Sequence, residues 1–189
     1  MNADFFTGWI FGILSSLISG LVLFLLQTRR DVQKERLIQR REDARIARNW
    51  AADGKMISLR GFDLSGENLS GKDLAQADLE EANFQDGKLY GTDFTGTNLR
   101  LASFQKTKLV GVCFREANLL AANFSGATLR EVDFSHAKMH LTQLQNAKKI
   151  ERCIWASATI DDTTKLPVEL RASIEQQTLA EKTANIDQE

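Results

Sequence analysis

A hydrophobic residue recurs at every fifth position through the middle of the chain. From Leu59 to Leu144, eighteen positions spaced five apart are all Leu, Phe or Met. Neither the 3.6-residue period of a helix nor the two-residue alternation of a simple strand places every fifth residue on one face. A chain that turns a corner after every five residues does. The pattern therefore predicts a solenoid, because self-similarity at a fixed short period is typical of repeat architectures.

Each five-residue unit has further regular features around its large residue, here called the centre. A small residue usually lies two positions before the centre, and a polar residue, often Asp or Asn, lies between them, as in Ala77-Asp78-Leu79 and Ala122-Asn123-Phe124. Two-residue alternation directs both the centre and the small residue inward. Gly follows two positions after the centre in seven units, where a turn with positive φ favours it. The unit is therefore predicted to form one side of a coil and one corner.

These units resemble the repeats of the pentapeptide-repeat family. The resemblance covers about 90 of the 189 residues and implies an all-β solenoid, a right-handed quadrilateral β-helix with four five-residue sides in each coil. The residues support four sides independently, since the centres alternate strictly between Leu and Phe from Leu79 to Phe134. A four-sided coil stacks like on like, whereas a three-sided coil would stack Leu on Phe. Glu67 and Lys72 fall on inward positions, so we expect the opening coil to be irregular or to splay these side chains into solvent.

The repeat domain is predicted to span residues 57–146, because the pattern fails at Lys149, where the next centre is due. Residues 147–166 look like the closing segment common in the family, an irregular coil that ends in Thr-Lys-x-Pro. A C-terminal cap helix is predicted over 167–182, starting at the only proline of the chain, Pro167, with Trp155 packed beneath it. Residues 183–189 are predicted to be a disordered tail.

A stretch of 23 residues without a charge runs from Phe5 to Gln27. A helix of this length spans roughly 34 Å, which is enough for a hydrocarbon core of about 30 Å. The stretch is long for a cleaved signal peptide, and no Lys or Arg precedes it. We therefore predict a single transmembrane helix over residues 5–27, preceded by a short exterior stub at 1–4.

Residues 28–52 are predicted to form a basic juxtamembrane helix. Residues 28–50 contain eight basic and four acidic side chains. The positive-inside rule then places the N-terminus outside and the repeat domain in the cytoplasm, at the inner (plasma) membrane. The residues predicted to attract anionic lipid are Arg29, Arg30, Lys34, Arg36, Arg40 and Arg41. The order of anchor, Arg-rich helix and repeats resembles a class of membrane-tethered bacterial pentapeptide-repeat proteins.

Small residues recur at every fourth position inside the predicted span, at Gly8, Gly12, Ser16 and Gly20. Such a stripe lets two helices approach closely, so it predicts self-association. The alternative is that these are ordinary small residues of a membrane span.

The sequence does not predict an enzyme, a cofactor or a metal site. His136 and His140 have no Cys or carboxylate at ligand spacing beside them. Cys113 and Cys153 are two coils apart, which is too far for a disulfide. No Gly-rich phosphate loop and no Ser–His–acid arrangement is present. The many Asp and Asn residues occupy outward or turn positions, where they stabilise turns.

The predicted function is a membrane-anchored, cytoplasm-facing, non-catalytic interaction or scaffold module. Its predicted partners are the lipid bilayer, an unidentified protein and a second copy of the chain. Repeat solenoids present extended surfaces to protein partners. The outward residues least typical of turns form two predicted columns: Tyr90, Val110 and Arg130 on one side, and Arg100, Leu120 and His140 on the opposite side.

Two alternatives stay open at this point. Some soluble members of the family resemble a DNA duplex in shape and negative charge and bind type II topoisomerases. Residues 57–165 carry 13 basic and 14 acidic side chains, which is a poor match to a phosphate track. The second alternative is a structural homo-oligomer without other partners. Direct nucleic-acid binding is not favoured, because the basic run at 28–50 lacks interleaved aromatic residues.

Overall fold

Helix α1 runs from Ala3 to Asn49. The computed structural model describes residues 3–55, 57–167, 170–172 and 174, and it describes side chains from residue 20 onward. The charge-free stretch continues directly into residues rich in Arg, Gln and Glu, which are good helix formers, so the two predicted helices form one element. Among the described residues, no helix is both long and apolar enough to cross a membrane.

The chain divides into two compact units, Met1–Arg41 and Glu42–Glu189. The second unit contains a parallel sheet of four short strands: β1 Lys88–Tyr90, β2 Lys108–Val110, β3 Thr128–Arg130 and β4 Lys148–Glu151. Strands β1, β2 and β3 pair with one another in register, so that each residue pairs with the residue one coil later, as Leu89 does with Leu109. The other three sides pair at the same spacing, from Asp63 with Asn83 to Asn123 with Gln143. The coil is therefore four units long, as the alternation of Leu and Phe predicts.

Every corner of the coil has the same backbone conformation. Each fifth residue from 61 to 141 has a positive φ, and this position is Gly in seven units and another residue in ten. The corner N–H donates to a carbonyl of the next coil, for example from Gly91 to Val110 and from Leu101 to Leu120. The predicted positive-φ turn is confirmed. It extends to non-glycine residues because stacking of the coils imposes the conformation against a local cost of about 1 kcal/mol or more.

Two columns of phenylalanine rings fill the middle of the core. The rings are at most 1% exposed, and they are Phe84, Phe104 and Phe124 in one column and Phe94, Phe114 and Phe134 in the other. Centroids within a column lie 4.7–5.4 Å apart with nearly parallel planes. Facing columns meet edge to face at 5.5–6.1 Å. Both geometries are favourable for aromatic pairs, so each ring is held along the axis and across it.

The end of α1 covers the N-terminal end of the β-helix. Ala44, Ala47 and Trp50 are buried there. The indole Nε1 of Trp50 donates to the carbonyl of Ile57 at 2.8 Å. The first coil has no preceding coil to accept its N–H groups, and the buried carboxylate of Asp43 accepts the N–H of residue 63 at 3.1 Å. The helix thus protects an edge that would otherwise be open to pairing with another chain.

The opening coil is regular, so the expectation of irregularity at Glu67 and Lys72 is wrong. Both side chains are half-buried, and the residues that follow them, Asn68 and Asp73, keep the regular pairing. The Glu67 carboxylate lies 2.8 Å from Nη1 of Arg48 near the end of α1. This ion pair compensates the partly buried charge, and the repeat pattern alone could not show that the helix brings an arginine to it.

Residues 147–166, predicted as the closing coil, pair with the coil before them after a bulge. Lys148 pairs with Thr128, but Glu151 pairs with Arg130, so β4 contains one extra residue. Lys149 at the bulge has a φ of 49°. Beyond the bulge Asp133 pairs with Ile154, one position later than the regular spacing, and the last pair, Gln143 with Lys165, is later by one position more.

Trp155 occupies the place of a centre in this closing coil. Its ring stacks on Phe134 with centroids 4.6 Å apart and planes 13° from parallel. The indole therefore extends the phenylalanine column by one layer. Residues 170–172 and 174 of the predicted cap helix are helical where the structure describes them, and Ile174 is buried. Residues 168, 169, 173 and 175–182 of that predicted helix, and the predicted tail at 183–189, lie outside the described residues.

Candidate partner surface

Outward side chains form columns along the coil because successive coils are in register. The residues just before and just after each buried centre point outward, and each column advances by one strand spacing, about 4.8 Å, per coil. The outward side of β1–β4 is here called the sheet face. The column formed by Arg60, Glu80, Arg100, Leu120 and His140 is here called the opposite face.

The structure brings Tyr90, Val110 and Arg130 together on the sheet face, since these residues pair in register on β1, β2 and β3. Tyr90 is 42% exposed. Arg130 Nε lies 3.5 Å from Oε2 of Glu151, the next residue of the column, and makes no hydrogen bond within the described part of the chain. The column therefore presents an aromatic, an aliphatic and a charged side chain in sequence.

A second column on the sheet face was missed by the sequence analysis. Lys88, Lys108, Thr128 and Lys148 pair in register, and the three lysines are exposed. Among the described residues, none of the three has an ion-pair partner. The signal was present in the chain, because Lys108 follows Lys88 by one full coil and Lys148 follows Lys108 by two.

On the opposite face, Arg100 belongs to an ion-pair ladder. The Glu80 carboxylate lies 3.2 Å from Nη1 of Arg60 on one side and 3.4 Å from Nε of Arg100 on the other. The Glu80 side chain is only 13% exposed. Arg100 therefore contributes to the stack of coils, and its guanidinium is partly engaged within the domain.

Leu120 lies beside two large apolar residues that the sequence analysis did not single out. Leu101 and Leu141 occupy corner positions and are 46% and 51% exposed. Their φ angles are 60° and 58°, a conformation that disfavours large side chains. Ala121 occupies the corner between them in the same column. Leu101, Leu120, Ala121 and Leu141 are here called the apolar corner. Two of them, Leu101 and Leu141, expose large apolar side chains from strained backbone positions.

His140 has a carboxylate partner, which corrects the statement that none lies beside it. Its Nδ1 is 2.7 Å from Oδ2 of Asp161. The hydroxyl of Thr163 also donates to Asp161, and these two contacts, led by Thr163, hold the pKa of the Asp161 carboxyl well below its usual range. The regular spacing of the coils would place Ile160, not Asp161, beside His140. The inserted residue in the closing coil shifts the partner by one position, so the sequence pattern did not indicate this pair.

In the described part of the chain, His136 and the two cysteines belong to no cluster of metal-ligating side chains. His136 is exposed at a corner with a φ of 59°. Among the described residues, no group of three or more His, Cys, Asp or Glu side chains is placed to hold a metal ion. Cys113 and Cys153 are both free thiols, and burial raises the pKa of the Cys153 thiol.

The predicted membrane residues lie on α1. Arg29, Arg30, Lys34, Arg36 and Arg41 are exposed and Arg40 is half-buried. Gly20 is exposed, and a Cβ built on it would meet nothing within 4 Å. Gly8, Gly12 and Ser16 are helical, but their surroundings lie outside the described side chains. The large residues Leu21 to Leu26 are 48–61% exposed.

The family model for pentapeptide repeats matches residues 57–96, 89–119 and 113–148, with eight copies of the repeat. Together these matches cover the regular coils and the first strand residue of the closing coil. A search of curated proteins finds no match.

Several solved structures are similar to the repeat domain. A pentapeptide repeat protein from the thylakoid lumen of Arabidopsis thaliana is 28% identical, with a TM-score of 0.55, over 59% of this chain and 76% of that chain. A pentapeptide repeat protein from the cyanobacterium Cyanothece is 22% identical, with a TM-score of 0.34, over 56% and 88%. QnrB1, a plasmid-mediated fluoroquinolone resistance protein, is 18% identical, with a TM-score of 0.28, over 64% and 84%.

Proposed function

Because the chain belongs to the pentapeptide-repeat family through residues 57–148, we propose that it is a membrane-anchored, non-catalytic scaffold of the bacterial inner membrane. The N-terminus lies outside, residues 5–27 span the bilayer, and the repeat domain presents its outward columns to a protein partner in the cytoplasm. The stripe from Gly8 to Gly20 pairs two copies in the membrane.

The exposed apolar run at Leu21 to Leu26 carries this proposal. These side chains are 48–61% exposed, and they lie near the end of the 23-residue stretch without a charge. Contiguous exposed apolar surface of this kind is rare in proteins that contact only water. The exposed basic residues that follow on the same helix suit the headgroup region of an anionic leaflet.

The apolar corner supports a protein partner on the opposite face. Leu101 and Leu141 combine high exposure with a disfavoured backbone conformation. The positive φ is shared by every corner of the coil, but the exposure of two large apolar side chains is explained if the leucines are covered in a complex. Tyr90, Val110 and Arg130 form a second candidate contact on the sheet face.

Membrane anchoring is tested by fractionation of cells that produce the full chain. We expect the protein to stay in the membrane after an alkaline carbonate wash. Replacing Leu17 and Leu21 with Arg should release it, because each arginine near the centre of a span costs about 2.5–3.5 kcal/mol. The matched control replaces Val32 and Leu37 with Arg; these apolar residues are exposed on the same helix beyond the predicted span, and the control should remain bound. A wild-type protein that washes off would refute the anchor.

The orientation is tested with a reporter enzyme that is active only outside the cytoplasm. Fused after residue 189, the reporter should be inactive. An active fusion would place the repeat domain on the other side of the membrane and would overturn the cytoplasmic assignment.

The partner surface is tested with a photo-crosslinking residue at position 120. The control carries the same residue at Gln105, which is half-buried and follows a centre on another side of the coil. We expect a protein captured from position 120 and not from 105, and lost when residues 1–28 are removed. Capture of a type II topoisomerase would support the DNA-mimic alternative, and capture of only a second copy would support the homo-oligomer.

A further inference from the structure

Positive charge is concentrated on the sheet face. Strands β1–β4 contain five basic side chains, Lys88, Lys108, Arg130, Lys148 and Lys149, and one acidic side chain, Glu151. The remainder of residues 57–165 contains eight basic and thirteen acidic side chains. One side of the β-helix is therefore strongly basic, although the domain as a whole is close to neutral.

We propose that the sheet face binds an anionic lipid bilayer through its lysine column. The inference rests on the proposed membrane anchor, which confines the repeat domain near a lipid surface. It assigns the sheet face to that membrane and leaves the opposite face, with the apolar corner, for the protein partner. In this arrangement the lysines of β1, β2 and β4 contact lipid phosphates and carboxylates.

The geometry of the strands suits a flat partner. Lys88, Lys108 and Lys148 occupy one column over three strand steps, a distance of about 15 Å. A lysine side chain lays its methylene stem along the surface and extends its ammonium group outward. All three are exposed, and no described residue neutralises them. Their charges are therefore free to pair with a layer of anions.

The bulge in β4 adds a further positive charge to the sheet face. It inserts Lys149 beside Lys148, and Lys149 is exposed with a φ of 49°. Its exposed ammonium adds to the positive potential at the edge of the lysine column.

The composition of the face favours lipid over the other anionic partners. Lysine is depleted in the cores of protein interfaces. Single-stranded nucleic acids need several stacking aromatics, but Tyr90 is the one aromatic residue in β1–β4. One amphipathic tyrosine beside several lysines is instead typical of a membrane interface.

The experiment is lysine acetylation of the full chain reconstituted in liposomes, read by mass spectrometry. One set contains phosphatidylcholine alone, and the other contains phosphatidylcholine with phosphatidylserine. We expect acetylation of Lys88, Lys108 and Lys148 to slow about fivefold in the anionic liposomes, the change that corresponds to one lysine held near anionic lipid. Lys138 and Lys165 are exposed on other sides and serve as internal controls that should not change.

Salt and mutation sharpen the test. Raising the salt to about 1 M shortens the Debye length to about 3 Å and should abolish the protection. The variant Lys88→Glu/Lys108→Glu should lose protection at Lys148, whereas Lys138→Glu/Lys165→Glu should keep it. Circular dichroism verifies that both variants are folded.

The outcomes separate this inference from the anchor. If the chain floats with both kinds of liposome but the three lysines react equally in each, the anchor holds and lipid binding by the sheet face is wrong. If the chain does not float with phosphatidylcholine liposomes, the anchor itself fails. If single-stranded DNA protects the lysines and anionic lipid does not, the face is a nucleic-acid site and the proposal is overturned.

Discussion

The central coils and the closing coil both stack on the coil before them, but through different contacts. From residue 79 to residue 134 each centre stacks on a residue of its own kind, and the spacing between paired residues stays constant. Residues 147–166 contain a bulge, pair at a longer and less regular spacing, and stack an indole on a phenyl ring.

The difference shows what maintains register in a solenoid. In the central coils, register follows from uniform columns in which every layer repeats the last. In the closing coil, individual contacts replace the repeat. Trp155 continues the Phe column, the Thr164 hydroxyl donates a hydrogen bond to Met139 in the preceding coil, and Asp161 pairs with His140. We therefore expect mutations in the centre to act on the whole domain and mutations at the end to act locally.

The largest effect is expected for Phe104→Ala. Phe104 is fully buried and contacts rings above, below and across the core. Removing it should lower the free energy of unfolding by about 3–5 kcal/mol, measured by urea denaturation. The neighbouring change Gln105→Ala should have little effect. A loss below about 1 kcal/mol for Phe104→Ala would mean that the aromatic columns do not determine stability.

Trp155→Ala tests whether the closing coil unfolds by itself. Loss of the indole that stacks on Phe134 should expose residues 147–166 to faster hydrogen exchange, while amides of residues 79–134 keep their protection. Trp155→Phe retains an aromatic layer and should have a smaller effect. Faster exchange throughout the domain would show that the two regions form one cooperative unit.

Two buried threonines give a matched comparison of the regions. Thr107 donates its hydroxyl to the carbonyl of Phe84, and Thr164 donates to the carbonyl of Met139, both at 2.8 Å. Replacement by Val leaves the accepting carbonyl without this bond and should cost about 1 kcal/mol in each case. The loss at Thr107 should appear in global unfolding, and the loss at Thr164 in local exchange of the closing coil. Equal effects of the two substitutions on global unfolding would contradict the expected difference between the central coils and the closing coil.

The smallest effect is the pH dependence of the Asp161 contact. Thr163 and His140 lower the pKa of this carboxyl in the folded state. A carboxyl with a lowered pKa stabilises the fold above its unfolded pKa of about 3.9, and this contribution is lost as the pH falls toward the folded value. We expect the melting temperature of Asp161→Asn to lie below that of wild type at pH 6, and the difference to shrink as the pH falls below about 4 toward the folded pKa of Asp161.

A matched control for this contact is Asp162→Asn, at the neighbouring exposed carboxylate, which pairs with Arg171 at 3.3 Å. This variant should follow the wild-type pH profile. A constant difference between wild type and Asp161→Asn from about pH 3 to pH 6 would show that the titration of Asp161 does not contribute.

The periodic part of the fold was predictable because its information is local and repeated. The spacing of Leu and Phe indicates the coil length, and the recurrence of glycine indicates the positive-φ corner. The sheet-face column of Tyr90, Val110 and Arg130 follows from the same count. The lysine column follows the same spacing and could also have been predicted. The total charge of the repeat domain did not indicate it, because only the positions of the lysines within the coils place them in one column.

The ends could not be predicted in the same way, because their contacts join segments that do not repeat. No spacing within the repeats indicates that Arg48 of α1 reaches Glu67, or that Asp43 accepts the N–H of residue 63. A single inserted residue in β4 places Asp161 beside His140, a position that the regular spacing of the coils does not predict.

The order of residues was enough to specify the four-sided coil, its aromatic core and its corners, since a strict five-residue period leaves one way to bury all the large side chains. How the coil is closed at each end depends instead on packing between distant segments. At those ends the burial of a charge, an open N–H or an indole depends on which segment packs against it, and such pairings leave no period in the chain.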